Sequence, residues 1–449
     1  MKHELLDLGD QVIRDAETLG AQQAEAYLTS RKQIRVQVER GAIKSAEEKH
    51  DLGCAIRTAL DKKLGFAYTS TINREDIQAR TRDALSLAKV SLPDVEFHSF
   101  PENSNIYREI SGIYDTKLST LTSEQALEFI FRAVDSCRAH LKKTRVVIQG
   151  GLSILSKETA IVNSMGVSGV YRDTSIDLSV DPTIKESGHQ ASSFEFQISR
   201  SLSKVNPEWI GESAARNTQQ LLHPKTIHER QLPVIFSPIA IDFLFRIGFA
   251  DAFNAEEAQM GRSFLADFVN ASIAPEFFNV SDNALLSKGN RSRPFDAEGV
   301  PSQNTKIISK GELMHFLHNS YTANKAQVTN TGNASRKSYQ TFPTITPTNL
   351  VITPGRGTLE DLISQIEKGL LCRFTFDRPN NSTGDFSALI MEGFYFDKGE
   401  IKHPVKNTLI GINMRDLFQQ ITLIGADTRA LHTAITPSIA IASAKITSG

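Results

Sequence analysis

Two carboxylates stand close together in the second half of the chain and could carry out chemistry. Asp296 and Glu298 lie two residues apart in the segment Phe295–Gln303, and Gly299 and Pro301 follow them. Such a pair can act in acid–base catalysis or bind a cation. Glycine and proline beside carboxylates are also typical of a tight polar turn. The composition of this segment favours the turn.

Histidines could form a zinc site, because a helix with the pattern His-Glu-x-x-His places two imidazoles on one face. None of the 11 histidines makes this pattern. His315 and His318 are the only close pair, and they would meet on a helical turn but point to opposite faces of a strand. The preceding residues 310–312 are typical of a hairpin turn, which favours the strand. The sequence therefore predicts no metal site in this chain.

Two glycine-containing segments offer other chemistry, but neither has the expected context. Gly384–Ser387 contains a serine without the strand, sharp turn and helix that surround the nucleophile of a Gly-x-Ser-x-Gly motif. Gly355–Thr358 lacks the Gly-Lys-Ser/Thr ending of a phosphate loop. We interpret it as the beginning of the helix that follows.

The elements that position these residues begin with an antiparallel sheet. Hydrophobic spacing predicts the order α-β-β-β-β-α in the first ninety residues, with separate strands over 24–28 and 34–38. This order suggests a sheet covered by helices on one face. Asn73 is predicted to cap one helix, and Thr122 with Gln125 a second one.

The pattern changes after a helix that begins at Pro207 and ends before Pro224, since the residue before proline disfavours helix. After a further helix at Pro238, short strands and turns dominate, with a helix over 361–371 as the main interruption. The predicted fold class is α+β. It comprises an N-terminal α/β domain over 1–222, with an antiparallel sheet and packed helices, and a C-terminal β-rich domain over 230–449 with a few helices.

Composition excludes several classes of protein. With 449 residues the chain exceeds the usual size of a single hydrophobic core. Lys and Arg number 50 and Asp and Glu 51, which leaves no positive charge excess for nucleic acid. No stretch approaches the ~20 apolar residues of a membrane span. Three distant cysteines and no signal peptide indicate a reducing cytoplasm.

Several motifs of the second half occur in an order that resembles one known family. In chain order these are Phe295–Gln303, Thr331–Ala334, Pro354-Gly355, Ser382–Ser387, Lys398–Glu400, His403–Val405 and Leu423–Asp427. The ordered set resembles the C-terminal half of the TldD/PmbA family, once called modulators of DNA gyrase. The resemblance covers most of the chain and is strongest from 290 to 430.

The resemblance implies a cytosolic TldD–PmbA heterodimeric complex that degrades unfolded polypeptides and processes small peptides. In this family the TldD partner carries a His-Glu-x-x-x-His zinc helix ahead of the segment that matches 295–303. The corresponding helix here, near Ser237–Phe253, has no histidine, and the late cysteine ligand of TldD has no match in Pro437–Ile446. The resemblance thus implies a PmbA (TldE)-like subunit with no cofactor of its own and zinc in a TldD-like partner. Residues 336–349 are nonetheless closer to TldD.

A β-rich wall with unpaired strand edges can bind an extended peptide through main-chain hydrogen bonds. We expect the chain to supply part of such a wall for unfolded peptide substrates. The candidate groove residues are Asp296, Glu298, Gly299, Asn333, Thr346, Asn349, Thr383, Gly384, Asp385 and Phe386. The alternative for each is a tight turn that only holds the fold.

Two other functions stay open from the sequence. The chain could be an autonomous hydrolase that uses His315 with Asp296 or Glu298, or a regulatory protein that binds peptides or proteins without chemistry. A homodimer is also possible beside the heterodimer. The physiological substrate does not follow from the sequence.

Overall fold

The fold mixes helices and antiparallel sheets, which confirms the predicted α+β class. The computed structural model describes residues 2–103, 107–141, 145–186, 188–228 and 230–448. Within these ranges none of the helices is both long and apolar enough to cross a bilayer.

The N-terminal part is a seven-stranded sheet with helices packed on one face. Its helices are α1 Lys2–Thr18, α2 Arg74–Val90, α3 Thr116–Ser119, α4 Ser123–His140 and α5 Pro207–Gln220. Its strands are β1 Gln23–Glu39, β2 Ala42–Leu60, β3 Lys63–Thr69, β4 Arg145–Asn163, β5 Ser168–Glu186, β6 His189–Ser192 and β7 Glu195–Ser199. The order is β3-β2-β1-β4-β5-β6, with β7 also on β5, and every pairing is antiparallel.

β1 is one continuous strand of 17 residues, so the prediction of two strands over 24–28 and 34–38 was wrong. Residues 24, 26 and 28 belong to the core beneath α1 and α2, whereas residues 34, 36 and 38 belong to the core beneath α4 and α5. The polar stretch 29–33 spans the interval between these two cores. The hydrophobic alternation is therefore interrupted although the strand is not.

The predicted helix beginnings are confirmed. The side chain of Asn73 accepts a hydrogen bond from the backbone of Asp76 at the start of α2. Thr122 and Gln125 form the predicted reciprocal capping box of α4. These side chains satisfy backbone N–H groups that have no partner within the helix.

The C-terminal part consists mainly of strands. Its helices are α6 Pro238–Phe243, continued by a π-helical turn Leu244–Phe249 and by α7 Ala250–Ala252, then α8 Ala255–Gln259, α9 Ser320–Ala326, α10 Leu359–Ile366 and α11 Met414–Gln419. Its first strands are β8 Gln231–Phe236, β9 Val280–Asn283, β10 Asn304–Ser309, β11 Glu312–Leu313, β12 Ala334–Ser335, β13 Thr344–Ile345, β14 Leu350–Ile352 and β15 Gly369–Phe374. The others are β16 Asp385–Leu389, β17 Glu392–Asp397, β18 Glu400–Pro404, β19 Thr408–Asn413, β20 Ile421–Ile424, β21 Arg429–Ala430, β22 Ala434–Thr436 and β23 Ile439–Ser448.

These strands form three sheets within the described ranges. One has the order β16-β19-β23-β8-β15-β17-β18 with β20 on β23, the next has the order β11-β10-β9-β14-β22-β21, and β12 pairs with β13. The helix predicted over 361–371 is shorter than expected. It ends at Glu367, whose φ of 65° breaks the helix, and the following residues pair as β15 with β8 and β17.

The two parts of the chain share a hydrophobic core. The buried cluster beneath α4 and α5 also contains Ile235, Leu371, Phe394, Phe396 and Ala440 from the C-terminal part. The division into domains 1–222 and 230–449 therefore stays a prediction.

Close packing of α2 on β3 gives a first testable expectation. A methyl group on Gly65 would lie 1.8 Å from the carbonyl oxygen of Ala84, so strand and helix would have to separate. We expect Gly65→Ala to lower the free energy of unfolding by about 1–3 kcal/mol, as overpacking does, in urea unfolding experiments. Gly151→Ala is the matched control, because its nearest neighbour would lie 3.5 Å away. Equal stabilities of the two variants would contradict this packing.

Candidate functional site

The turn that contains Asp296 and Glu298 is held together by its own aspartate. Asp296 Oδ1 accepts hydrogen bonds from the backbone N–H groups of Glu298 and Val300, both at 2.9 Å. Its Oδ2 accepts from the N–H of Ala334 at 3.0 Å. Burial, together with the nearby Glu298 carboxylate, raises the pKa of Asp296 to about 7. Both oxygens therefore serve the structure of the turn.

Glu298 joins the turn to the N-terminal sheet. Its Oε1 accepts from Arg57 Nη2 at 3.2 Å, and its Oε2 accepts from the backbone N–H of Ser320 at 2.9 Å, at the beginning of α9. Arg57 also binds Glu25 with Nε at 2.8 Å and Nη2 at 2.5 Å. Arg336 Nη2 donates to the same Glu25 at 2.6 Å. Glu25, Arg57, Glu298 and Arg336 form a buried cluster, which we call the interface charge cluster.

The charges of this cluster depend on one another. Burial alone would raise the pKa of Glu25, but Arg57 and Arg336 lower it below its ordinary value. Burial would likewise lower the pKa of Arg57, yet Glu25 and Glu298 raise it. Glu25 and Arg57 are thus stabilised in their charged forms by groups from distant parts of the chain.

Two asparagines among the candidate groove residues are also engaged internally. Asn333 Nδ2 donates to Asp282 Oδ2 at 2.7 Å and to the carbonyl of Thr346 at 3.2 Å. Asn349 donates to the carbonyl of Asn283 at 2.7 Å and accepts from the N–H of Arg291 at 3.0 Å. Gly299 is buried with a φ of 82°, where its Cβ would lie 2.3 Å from Val167. Thr346, the other candidate groove residue near these asparagines, is exposed.

The remaining candidates belong to an edge of the largest C-terminal sheet. Thr383 and Asp385 are exposed, while Gly384 and Phe386 are buried beneath them. Asp385 accepts from Thr383 Oγ1 at 2.9 Å and from Asn413 Nδ2 at 3.1 Å, and these hydrogen bonds lower its pKa. The strand that begins here, β16, is the last strand of its sheet. β16 is thus an edge strand, and residues 377–380 cover part of its free side, because the N–H of Asn380 donates to the carbonyl of Asp385 at 2.8 Å.

The two close histidines lie in an irregular segment before α9. His315 is exposed and His318 is buried, and both line a cavity of about 640 Å³. Burial lowers the pKa of His318 to about 4, and its Nδ1 lies 3.2 Å from Thr322 Oγ1. His318 is therefore neutral near pH 7. Asp296 and Glu298, the suggested catalytic partners of His315, have their oxygens occupied by the contacts described above.

The helix that begins at Pro238 presents no set of zinc ligands. Leu244 and Phe245 are buried in the hydrophobic core, and Arg246 Nε lies 3.4 Å from the buried Asp242. The nearby His432 is 3.0 Å from Asp177 Oδ2. In the described ranges no three His, Cys, Asp or Glu side chains are grouped so that they could hold a metal ion.

Glu25 and Arg57 are the important residues that the sequence reasoning missed. Glu25 lies within the otherwise apolar stretch Ala24–Tyr27, and Arg57 directly follows the apolar stretch Cys54–Ile56. A charge on a strand that is buried on both faces must find a partner. That placement identifies both residues as members of a buried ion pair, but it does not identify their partners.

Comparison with known proteins covers nearly the whole chain. The family models described as PmbA/TldA metallopeptidase domain 1, central domain and C-terminal domain match residues 24–88, 116–222 and 229–448, respectively. The metalloprotease PmbA homolog of Haemophilus influenzae is 25% identical over 446 residues, which is 94% of this chain and 92% of its own. The metalloprotease TldD homolog of the same organism is 24% identical over 89% of this chain and 84% of its own.

Two crystal structures have the same fold. TldE from Thermococcus kodakarensis matches with a TM-score of 0.90 and 25% identity over 98% of this chain and 100% of its own. A Thermotoga maritima protein described as a modulator of a DNA gyrase matches with a TM-score of 0.90 and 23% identity over 98% and 99%.

The interface charge cluster predicts a large effect of one substitution. Glu25→Gln leaves two buried guanidinium groups without their shared carboxylate. Breaking a buried ion pair costs about 3–5 kcal/mol, so we expect a loss of that size in urea unfolding at pH 7. Glu208→Gln removes an exposed partner of Arg132 and should cost at most about 1 kcal/mol. Equal losses would contradict the role of the cluster.

The difference in stability between wild type and Glu25→Gln should depend on pH. The pKa of Glu25 is lower in the folded state than the unfolded value of about 4.3. Its contribution is therefore fully present above that value and is lost as the pH falls through the folded pKa. The stability difference between wild type and Glu25→Gln should shrink at acidic pH.

Proposed function

The chain belongs to the PmbA/TldD metallopeptidase family, and from this we propose that it is the PmbA (TldE)-like, non-catalytic subunit of a cytoplasmic zinc peptidase complex. The partner is a TldD-like paralogue that holds the zinc ion. The substrates are unfolded polypeptides and small peptides.

The observation that carries this proposal is the composition of the helix that begins at Pro238. Its inward positions hold Leu244 and Phe245, and its buried carboxylate, Asp242, pairs with Arg246. A catalytic zinc ion needs imidazole or carboxylate ligands with an open position for water. The donors present here do not fit such a site. Zinc chemistry would therefore come from the partner.

An exposed apolar patch beside this helix fits the docking of another subunit. Phe376 is 63% exposed, and its ring centroid lies 5.9 Å from that of Phe243 in the helix. Met391, which is 51% exposed, donates its backbone N–H to the carbonyl of the buried Phe374, two residues before Phe376. Apolar patches of this kind on soluble proteins mark interaction sites. A TldD-like subunit seated here would lie against the helix.

Peptide binding is assigned to the neighbouring strand edge. β16 carries the exposed Asp385, Ser387 and Leu389 along the edge of its sheet, and the exposed Thr383 lies just before it. The backbone of Leu389 donates to Asp377 Oδ2, close to Phe376. Once the segment 377–380, which bonds to the backbone of Asp385 and Leu389, moves aside, an extended peptide could add to this edge through main-chain hydrogen bonds with little sequence preference. Of the ten candidate groove residues, Thr383 and Asp385 are the exposed ones on this edge, and the proposal rests on them.

Reconstitution tests the subunit assignment. We expect this chain alone, purified without chelator or metal-affinity tag, to contain almost no zinc by elemental mass spectrometry and to cleave no unfolded casein. Mixing with a His-Glu-x-x-x-His paralogue should produce one complex with zinc and cleavage that need both chains. One zinc ion per isolated chain together with cleavage would instead establish an autonomous hydrolase.

The proposed docking of a partner at the apolar patch leads to a separate prediction. Phe376→Ser should weaken association with the paralogue at least tenfold in analytical ultracentrifugation, because the ring leaves water on docking. Phe277→Ser is the matched control, since Phe277 is 51% exposed but lies before β9. Equal association by the two variants would place the contact on another surface. A chain that forms only homodimers would contradict the heterodimer.

A further inference from the structure

A cavity of about 280 Å³ lies between the N-terminal sheet and the loops of the C-terminal part. Its walls come from the face of β1, β4 and β5 that the helices leave free, and from the segments 290–293 and 335–336. Its volume is near the lower end for small-molecule sites. The charged residues that line it are Lys157, Arg200, Arg291, Arg293, Arg336, Asp173 and Asp296.

Positive charge in this cavity exceeds negative charge. Asp173 is paired with Arg200 Nη1 at 2.6 Å, and Asp296 accepts backbone N–H groups. In the described part of the chain neither Lys157 nor Arg293 has a carboxylate within ion-pair distance. Buried charges are costly unless they are paired. The cavity therefore favours an anion.

Several hydrogen-bond donors on residues that line the cavity have no acceptor. Arg293 Nε and Nη2 and Arg336 Nε are inaccessible to solvent and find no partner among the described residues, and the same holds for Thr159 Oγ1. Arg336 is 8% exposed and Thr159 is 2% exposed. Buried polar groups in folded proteins almost always have a hydrogen-bond partner. An acceptor in the cavity would supply it.

The free atoms of Arg293 specify the chemistry of that acceptor. Nε and Nη2 form the edge of a guanidinium that binds two oxygens of one carboxylate or phosphate. The same edge of Arg57 holds both oxygens of Glu25 in this protein. Arg293 is thus prepared for a bidentate oxyanion.

We propose that this cavity is a binding site for a small oxyanion, a carboxylate or a phosphate, anchored by Arg293. Lys157 supplies a second charge, and Arg336 Nε and Thr159 Oγ1 supply further hydrogen bonds. None of Thr383, Asp385 and Phe376, on which the proposed peptidase role rests, lines this cavity. Because its walls come from both parts of the chain, the bound anion would tie the sheet to the C-terminal loops.

Isothermal titration of the full chain with inorganic phosphate tests the site, with sodium chloride holding the ionic strength constant. We expect saturable binding by the wild type and at least tenfold weaker binding by Arg293→Gln, which removes a charge-assisted bidentate contact. Arg216→Gln is the matched control, because Arg216 lies on α5, outside the cavity, with contacts to Glu212 at 3.8 Å and to Ser213 Oγ at 3.1 Å. Equal binding by all three proteins would overturn the proposal.

Two additions keep the test decisive. Near-ultraviolet circular dichroism shows whether Arg293→Gln is folded, and if it is not, Thr159→Val should still weaken binding several-fold. N-acetyl-trialanine with a free or an amidated carboxyl terminus then separates the sources. Binding of the free acid alone identifies a peptide carboxylate, and binding of phosphate alone identifies a free anion. If neither binds, the cavity holds only water and the inference is wrong.

Discussion

The contact on which the rest of the structure depends is the pairing of Glu25 with Arg57 and Arg336. Glu25 and Arg57 project from adjacent strands of the N-terminal sheet, whereas Arg336 and Glu298 belong to C-terminal loops. Buried charges of this kind tolerate no loss of a partner, because each remaining charge would be left in a poor solvent. The position of the loops on the sheet is therefore fixed by charge as well as by packing. The 295–303 turn and the beginning of α9 follow from it, since Glu298 contacts both.

Much of the fold could be predicted because its causes are local. Asn73, Thr122 and Ser237 begin helices through hydrogen bonds to residues three positions away, and these are visible in the sequence. The strand count failed where the cause was not local. β1 stays extended through polar residues 29–33 because its neighbours β2 and β4 pair with it along its length. The early end of α10 has a similar origin, because Leu370 and Leu371 belong to β15, which pairs with β8 and β17.

The candidate site was harder to predict because its residues act on partners far away in sequence. Glu298 is separated from Arg57 by 241 residues and Arg336 from Glu25 by 311. Spacing within one motif cannot reveal such pairs. The sequence correctly marked 295–303 as a polar turn, and it offered 382–387 as a candidate groove segment. It could not show that the first turn faces the protein interior and the second faces solvent, which decides how each can meet a peptide.

The wide separation of Glu25 and Arg336 also bears on how the protein is made. A ribosome adds roughly 5–20 residues per second, so Arg336 is synthesised about 15–60 s after Glu25. During that time Arg57, only 32 residues away, can already occupy the carboxylate through the β1–β2 hairpin. The carboxylate of Glu25 thus has an ion-pair partner in the nascent sheet before the C-terminal part of the chain has been synthesised. The charge cluster is then completed when Arg336, the last of its four residues to be synthesised, reaches Glu25.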